Sequence, residues 1–261
     1  MSDKTKRKEI IMKKFLALLL SSAMILSLAG CNKDKNEDKT DNGTEKVTDV
    51  AFAAPDMGES TKQSIEYLKG QVPLFAEYLE TRTKFPLTYE VEVPSAEGTG
   101  FAGIYIKDKD TVSIVSRDAL GNSSTTIYDD DELWYIEDAT KTAYVRKDFP
   151  DGAAENAVKA YLLQIDYAEA VANTYTTGEK EYDGVLYKHE TITSPEGYFS
   201  EYYYDMETGD LKIISASNAV SYVTALTNKV TNEDAFKIPA DYAEGDLMKY
   251  MEETQNGTIT Q

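Results

Sequence analysis

The sequence has one cysteine, Cys31, and one histidine, His189, in 261 residues. A lone cysteine excludes any intramolecular disulfide. A lone histidine can act as a general base only with a nucleophile and an orienting partner in reach, and the sequence names neither. No G-x-S-x-G, S-x-x-K or H-E-x-x-H occurs to supply a nucleophile or a zinc-binding pair. Positive charge is also scarce. The chain holds 27 Lys and Arg against 46 Asp and Glu, a net charge of −19. Residues 1–30 are the exception, with four net positive charges, so the rest of the chain stands at −23. That balance argues against binding nucleic acid or anionic headgroups through a basic face.

The N-terminus supplies what the rest lacks. Lys4, Lys6, Arg7, Lys8, Lys13 and Lys14 precede an apolar run from Phe15 to Leu28. This run has the length of a signal-peptide core and is too short to span a bilayer comfortably. Translation could begin at Met1 or at Met12. The run ends in Leu28-Ala29-Gly30-Cys31, after which the chain is densely charged. These residues resemble the lipobox of bacterial lipoproteins. The resemblance implies that residues 1–30 are removed and that Cys31 carries a diacylglyceryl group. It also implies a protein held at the extracytoplasmic face of the cell membrane by two or three acyl chains, each buried methylene contributing about 0.8 kcal/mol. A thiol that carries lipid is not a catalytic thiol.

Residues 31–59 are polar and lack periodicity, which predicts a flexible tether with a span of about 30 Å. Residues 60–250 read as one domain and 251–261 as a polar tail. Ser60 to Glu80 carries an apolar stripe at helical spacing, interrupted by Gly70 and Pro73, where a kink or a second helix is expected. From Leu87 onward the period changes to two. Leu87, Tyr89, Val91 and Val93 alternate with polar residues, as do Ala102, Ile104 and Ile106. Polar turns then separate several further short strands. A second helix is expected from Asp151 to about Asn173, followed by four more strands. The fold class expected is α+β: a single curved antiparallel sheet of about seven to nine strands, an open half-barrel, with helices packed on its concave side.

Four stretches resemble the lipoprotein-carrier (LolA-like) superfamily: IYIKDKDTVSIVS, TTIYDDDELWYIEDATKTAYV, YYYDMETGDLKII and DAFKIPADY. They fall within residues 85–242. The resemblance implies an apolar cavity between sheet and helices, used to hold acyl chains or a partner. The ligand-binding surface expected is the apolar sheet face of Leu87, Tyr89, Val91, Val93, Ala102, Ile104 and Ile106. Soluble members of that family have a lid arginine. No counterpart can be placed among Arg82, Arg117 and Arg146.

Other candidates read more simply. Asp129 to Glu132 lacks the spaced ligands and glycine of a calcium loop and reads as a solvated turn. Asp205, Glu207 and Asp210 around Gly209 read as a hairpin turn. Tyr202, Tyr203 and Tyr204 must fall on both faces of one strand, as core or as an aromatic platform for sugars or peptides. The expectation is a non-enzymatic, monomeric lipoprotein with no cofactor and no metal. Its partners would be the membrane, through Cys31, and a lipid or lipidated protein. The alternative is an envelope protein–protein interaction module without a ligand cavity.

Overall fold

The computed structural model describes residues 58–150, 152–216 and 219–255. Cys31, the signal sequence, the tether as far as residue 57, Asp151 and the last six residues of the expected tail lie outside them. The stripe before Leu87 forms two helices, α1 (Gly58–Lys69) and α2 (Pro73–Arg82). They part where Gly70 and Pro73 predict a break. Six strands follow: β1 (Leu87–Ser95), β2 (Gly98–Ile106), β3 (Thr111–Arg117), β4 (Ser123–Asp129), β5 (Glu132–Glu137) and β6 (Thr142–Arg146).

The second helical stretch is two helices, α3 (Ala153–Tyr161) and α4 (Tyr167–Ala172). The backbone turns extended at Leu162, and Leu163 N donates to Arg82 O at 3.1 Å. Leu162, Leu163 and Ile165 are buried from that extended segment. Asp166 then caps α4 by accepting from Ala168 N at 2.9 Å.

Five strands follow: β7 (Thr174–Tyr182), β8 (Val185–Thr193), β9 (Phe199–Tyr204), β10 (Leu211–Ala216) and β11 (Ala219–Thr227). A 3-10 turn spans Glu233–Phe236, and beyond it come β12 (Ala243–Asp246) and α5 (Leu247–Gln255). α5 thus enters the stretch expected as a polar tail.

All these strands join one sheet in the order β12-β6-β5-β4-β3-β2-β1-β11-β10-β9-β8-β7. This overturns the expected seven- to nine-stranded antiparallel half-barrel with helices on its concave side. The sheet has twelve strands and is mixed, because β12 runs parallel to β6. It does not close, since β7 and β12 are both edges, and the described residues carry five α-helices beside it. Two strands lacked a recognisable pattern. β7 is an edge strand exposed along most of its length, and β12 reads Ala-Glu-Gly-Asp, so neither shows the apolar alternation of a half-buried strand.

Register assigns the faces. Leu87, Tyr89 and Val91 of β1 lie opposite Ile106, Ile104 and Ala102 of β2, so they share one face. The main core forms there, with Ile65 and Leu68 of α1, Phe75 and Leu79 of α2, and Val158 of α3 packed among them. Each fully buried aliphatic or aromatic side chain contributes about 1.5–3 kcal/mol. Tyr135 and Tyr144 lie further along the same face, and Tyr250 of α5 stacks on them, 5.6 and 4.1 Å between ring centres.

The second face has its own smaller core of Ile127, Trp134, Ile136, Ala143 and Val145, covered by Phe236 and Tyr242. Those two belong to a strap running from β11 to β12. Thr88 Oγ1 donates to Lys229 O at 2.7 Å, and Ser113 Oγ donates to Ala235 O at 2.6 Å. Tyr242 OH reaches Asp138 at 2.9 Å. The strap and α5 together grip the β6 side of the sheet from both faces.

Candidate functional site

The residues expected to line a ligand surface are in the main core. Leu87, Tyr89, Val91, Ala102, Ile104 and Ile106 are buried, and Val93 packs partly buried against them. α2 lies over this face. Phase and burial of its stripe bring Phe75 to 4.7 Å and Tyr78 to 6.0 Å from the Tyr202 ring, and Tyr78 to 6.5 Å from Tyr89. Phe75 and Leu79 are both 0% exposed. The space over the apolar rows is therefore occupied by helix side chains.

Two buried charged groups fix α2 in place. Its N-cap, Val72, has no side-chain acceptor, and Pro73 opens the helix without an N–H. Glu190 of β8 accepts instead, from Leu74 N at 3.1 Å and Phe75 N at 2.6 Å. Burial pushes the Glu190 carboxyl above its usual range, and the two backbone donors pull against that shift. At the other end Arg82 is 2% exposed. It donates to Tyr78 OH at 3.1 Å and to Tyr161 O of α3 at 3.2 Å, and lies 3.9 Å from the centre of the Tyr89 ring. Aromatic faces and a helix C-terminal carbonyl together replace water around this cation.

Beside α2 the helix layer stops short and leaves an open groove of about 300 Å³ over β10 and β11. Leu74, Tyr78, Leu211, Val223 and Leu226 line it, interspersed with Glu77, Thr81, Asp210 and Lys212. Asn228 Nδ2 ties the neighbouring chain ends, donating to Thr81 O at 3.0 Å and Pro86 O at 3.3 Å. A second groove, of about 440 Å³, lies where β6 meets β12, and it is lined mostly by charged residues such as Arg146, Lys147, Asp148 and Glu244. Lys147 and Glu244 pair across it at 3.0 Å.

On the second face, the β7–β8 hairpin turns at Asp183-Gly184, both at positive φ, as a tight two-residue hairpin requires. Tyr182 of β7 and Tyr222 of β11 are four strands apart, about 19 Å in a flat sheet. Yet Tyr182 packs edge-on to Tyr203 at 5.3 Å and lies within hydrogen-bonding reach of Tyr222, which with burial pushes its hydroxyl up to about 12. The hairpin therefore folds over this face. Beneath it, His189 Nε2 is 3.1 Å from Glu201 Oε1. Lys180 pairs with the same oxygen, and Tyr203 OH donates to Oε2 at 3.1 Å. Burial lowers the His189 pKa. Burial works to raise Glu201, but the Lys180 hydrogen bond and charge outweigh it and hold that carboxyl low. Each group in this cluster is satisfied by another.

His189 and Glu190 lie on opposite faces of β8, as a period of two requires. Sequence reasoning named neither Glu201 nor Lys180 as neighbours of His189, because both are brought in by strand pairing. The acidic turns are built as turns. Asp205 Oδ1 accepts from Glu207 N and Thr208 N, both at 2.9 Å. Among the described residues no group of three or more His, Cys, Asp or Glu is placed to hold a metal ion.

No protein-family model matches the chain, and neither does any curated protein. Solved structures do resemble it at low identity. An uncharacterized conserved protein from Thermus thermophilus is 12% identical with a TM-score of 0.37, over 67% of this chain and 97% of that one. MucB in the Pseudomonas aeruginosa MucA/MucB complex is 13% identical with a TM-score of 0.37, over 65% of this chain and 61% of that one. A LolA superfamily protein from Nitrosomonas europaea is 11% identical with a TM-score of 0.29, over 69% and 98%.

Proposed function

We propose that this chain is a lipoprotein anchored through Cys31 at the extracytoplasmic face of the cell membrane, whose domain binds a segment of a partner protein and does no chemistry of its own. One observation carries the choice of a protein over an acyl chain. The apolar rows expected to hold lipid are packed with Phe75, Leu79 and their neighbours. The space that is open, beside α2, mixes Leu74, Leu211, Val223 and Leu226 with Glu77, Thr81, Asp210 and Lys212. Such a lining suits a polypeptide, which brings both apolar side chains and backbone polar groups. A bare acyl chain would leave those polar groups desolvated and unpaired. The net negative charge leaves the domain no basic face with which to bind anionic headgroups.

Leu226→Glu places a carboxylate in the groove on a half-buried strand position. The expected outcome is loss of a partner crosslinked by the parent protein in its host membrane, with the melting temperature lowered by a few degrees, since Leu226 also packs against the main core, and the domain still folded at the assay temperature. Native mass spectrometry of the membrane-extracted parent separates this reading from a lipid carrier, and no acyl ligand beyond the anchor on Cys31 is expected. A stoichiometric acyl ligand beyond the anchor on Cys31, present in repeated preparations, would reverse the assignment in favour of lipid binding.

A further inference from the structure

The turns at one end of the sheet carry Asp108, Asp110, Asp130, Asp131, Asp205 and Glu207, together with Lys107, Lys109 and the exposed Val185 and Leu186. At the other end the β8–β9 turn carries Tyr198 and Phe199, 69% and 55% exposed, in a hydrogen-bonded turn closed by Ser194 N to Tyr198 O at 2.8 Å. Phe199 pairs with Thr193, which pairs with Thr174 at the start of β7. The helix feeding that strand, α4, adds Tyr167 and Val171, 40% and 46% exposed. The two groups are tied together at this end, since Tyr175, next to Thr174 in β7, donates its hydroxyl to Ala170 O of α4. Four large side chains of interfacial character thus share one end of the molecule.

The chain enters the described domain beside this patch. Ser60 of α1 donates to Asp166 Oδ2 at 3.1 Å and accepts from Tyr167 N at 2.8 Å. Twenty-six residues separate Cys31 from Gly58. We propose that this end of the domain rests on the lipid bilayer itself, with Tyr167, Val171, Tyr198 and Phe199 in the headgroup region and the acidic turns facing away. The proposal rests on Cys31 being the anchor. Anchoring supplies the high local concentration that a small apolar contact needs, and two weak attachments together hold a protein firmly.

The entry of the chain beside the patch favours a membrane over a protein partner, because the anchor brings this end of the domain to the lipid. The carboxylates beside the patch set its pH dependence. Burial, then the charges of Asp166 and Glu196, raise Glu169 to about 7, and Tyr175 of β7 also lies against it. Protonation of Glu169 below that pH removes a charge from the contact, so the contact strengthens as pH falls from 8 to 6.

The test uses the full chain extracted from its host membrane, with Phe199→Cys as the only free thiol once Cys31 carries lipid. A fluorophore on residue 199 is read in phosphatidylcholine vesicles whose acyl chains bear a quencher. About half of the emission is expected to be lost at residue 199 and little at an Asp130→Cys label at the opposite end, as for side chains held at the acyl boundary. Quenching at 199 should exceed its value at pH 8 when measured at pH 6, and should fall to the Asp130 level with Tyr198→Ser and Tyr167→Ser. Equal quenching at both positions overturns the proposal, as does a label at 199 shielded by a crosslinked protein instead of lipid. If Cys31 itself takes the fluorophore, the anchor assignment fails separately. Flotation of that chain with the same vesicles, lost on Tyr198→Ser, then upholds the patch, and absence of flotation overturns it.

Discussion

Replacing Glu190 with alanine should cost this domain more than almost any other single change on its sheet. The carboxylate takes the place of an N-cap for α2, accepting from Leu74 N and Phe75 N. Glu190 is 2% exposed, so neither donor gains a water in exchange. Each N–H left unpaired costs about 1–3 kcal/mol. Loss of a negative charge at the helix N-terminus adds about 0.3–1 kcal/mol. Against this, alanine removes the burial cost that raises the carboxyl's own pKa. The net expectation is about 2–4 kcal/mol, or a fall in melting temperature of about 5–15 °C for a domain of this size. Glu190→Gln keeps one acceptor oxygen but turns an amide N–H2 toward the second donor, so it should lie between parent and alanine. Thermal denaturation of the full chain followed by circular dichroism measures all three. An alanine variant melting within about 1 °C of the parent would refute the claim that Glu190 caps α2.

Three further outcomes follow from the same geometry. A Cβ at Gly103 would meet the Tyr105 ring at 2.7 to 2.9 Å, so Gly103→Ala should displace that ring, break its 2.8 Å hydrogen bond to Glu90 and cost about 1–3 kcal/mol in urea denaturation. Arg82→Lys should destabilise nearly as much as Arg82→Met, because a point charge cannot serve Tyr78 OH, Tyr161 O and the Tyr89 face together; equal melting of the lysine variant and the parent would contradict this. Glu169, raised to about 7, binds its proton more tightly folded than unfolded, so its contribution falls as pH rises from the ordinary carboxylate range through 7. Glu169→Gln should accordingly raise the melting temperature at pH 8 and leave it unchanged at pH 4.

The alternating rows of β1 and β2 and the Asp-x-x-Thr-Gly turn before β10 were legible because their pattern is local. Tyr202 and Tyr204 point into the core while Tyr203 turns to the hairpin, which a period of two requires. The break between α3 and α4 was not legible. Leu162 and Ile165 keep helical spacing, and only the docking of Leu163 N on Arg82 O, 81 residues back, shows that the segment is extended. The same limit hid the site. Apolar alternation marks a face that is buried and says nothing of what buries it, so the rows over which α2 lies read equally well as an empty cavity. The groove beside α2 combines residues from α2, β10 and β11, and its lining has no contiguous signature. Glu190 and Arg82 were likewise invisible as anchors, since their partners come from other elements.

The strap that leaves β11, crosses the second face and ends as β12 and α5 is made after every strand it covers. Until it arrives, Trp134, Ile136 and Val145 have no cover, and β6 stands as an unpaired border open to other chains. Completion of the strap covers that cluster and pairs that border. On the proposed anchoring, a polypeptide cut short before it would reach the membrane with its lipid in place and an oily flank displayed to proteases. On that reading the anchor fixes where the protein stays, and the strap seals its sheet.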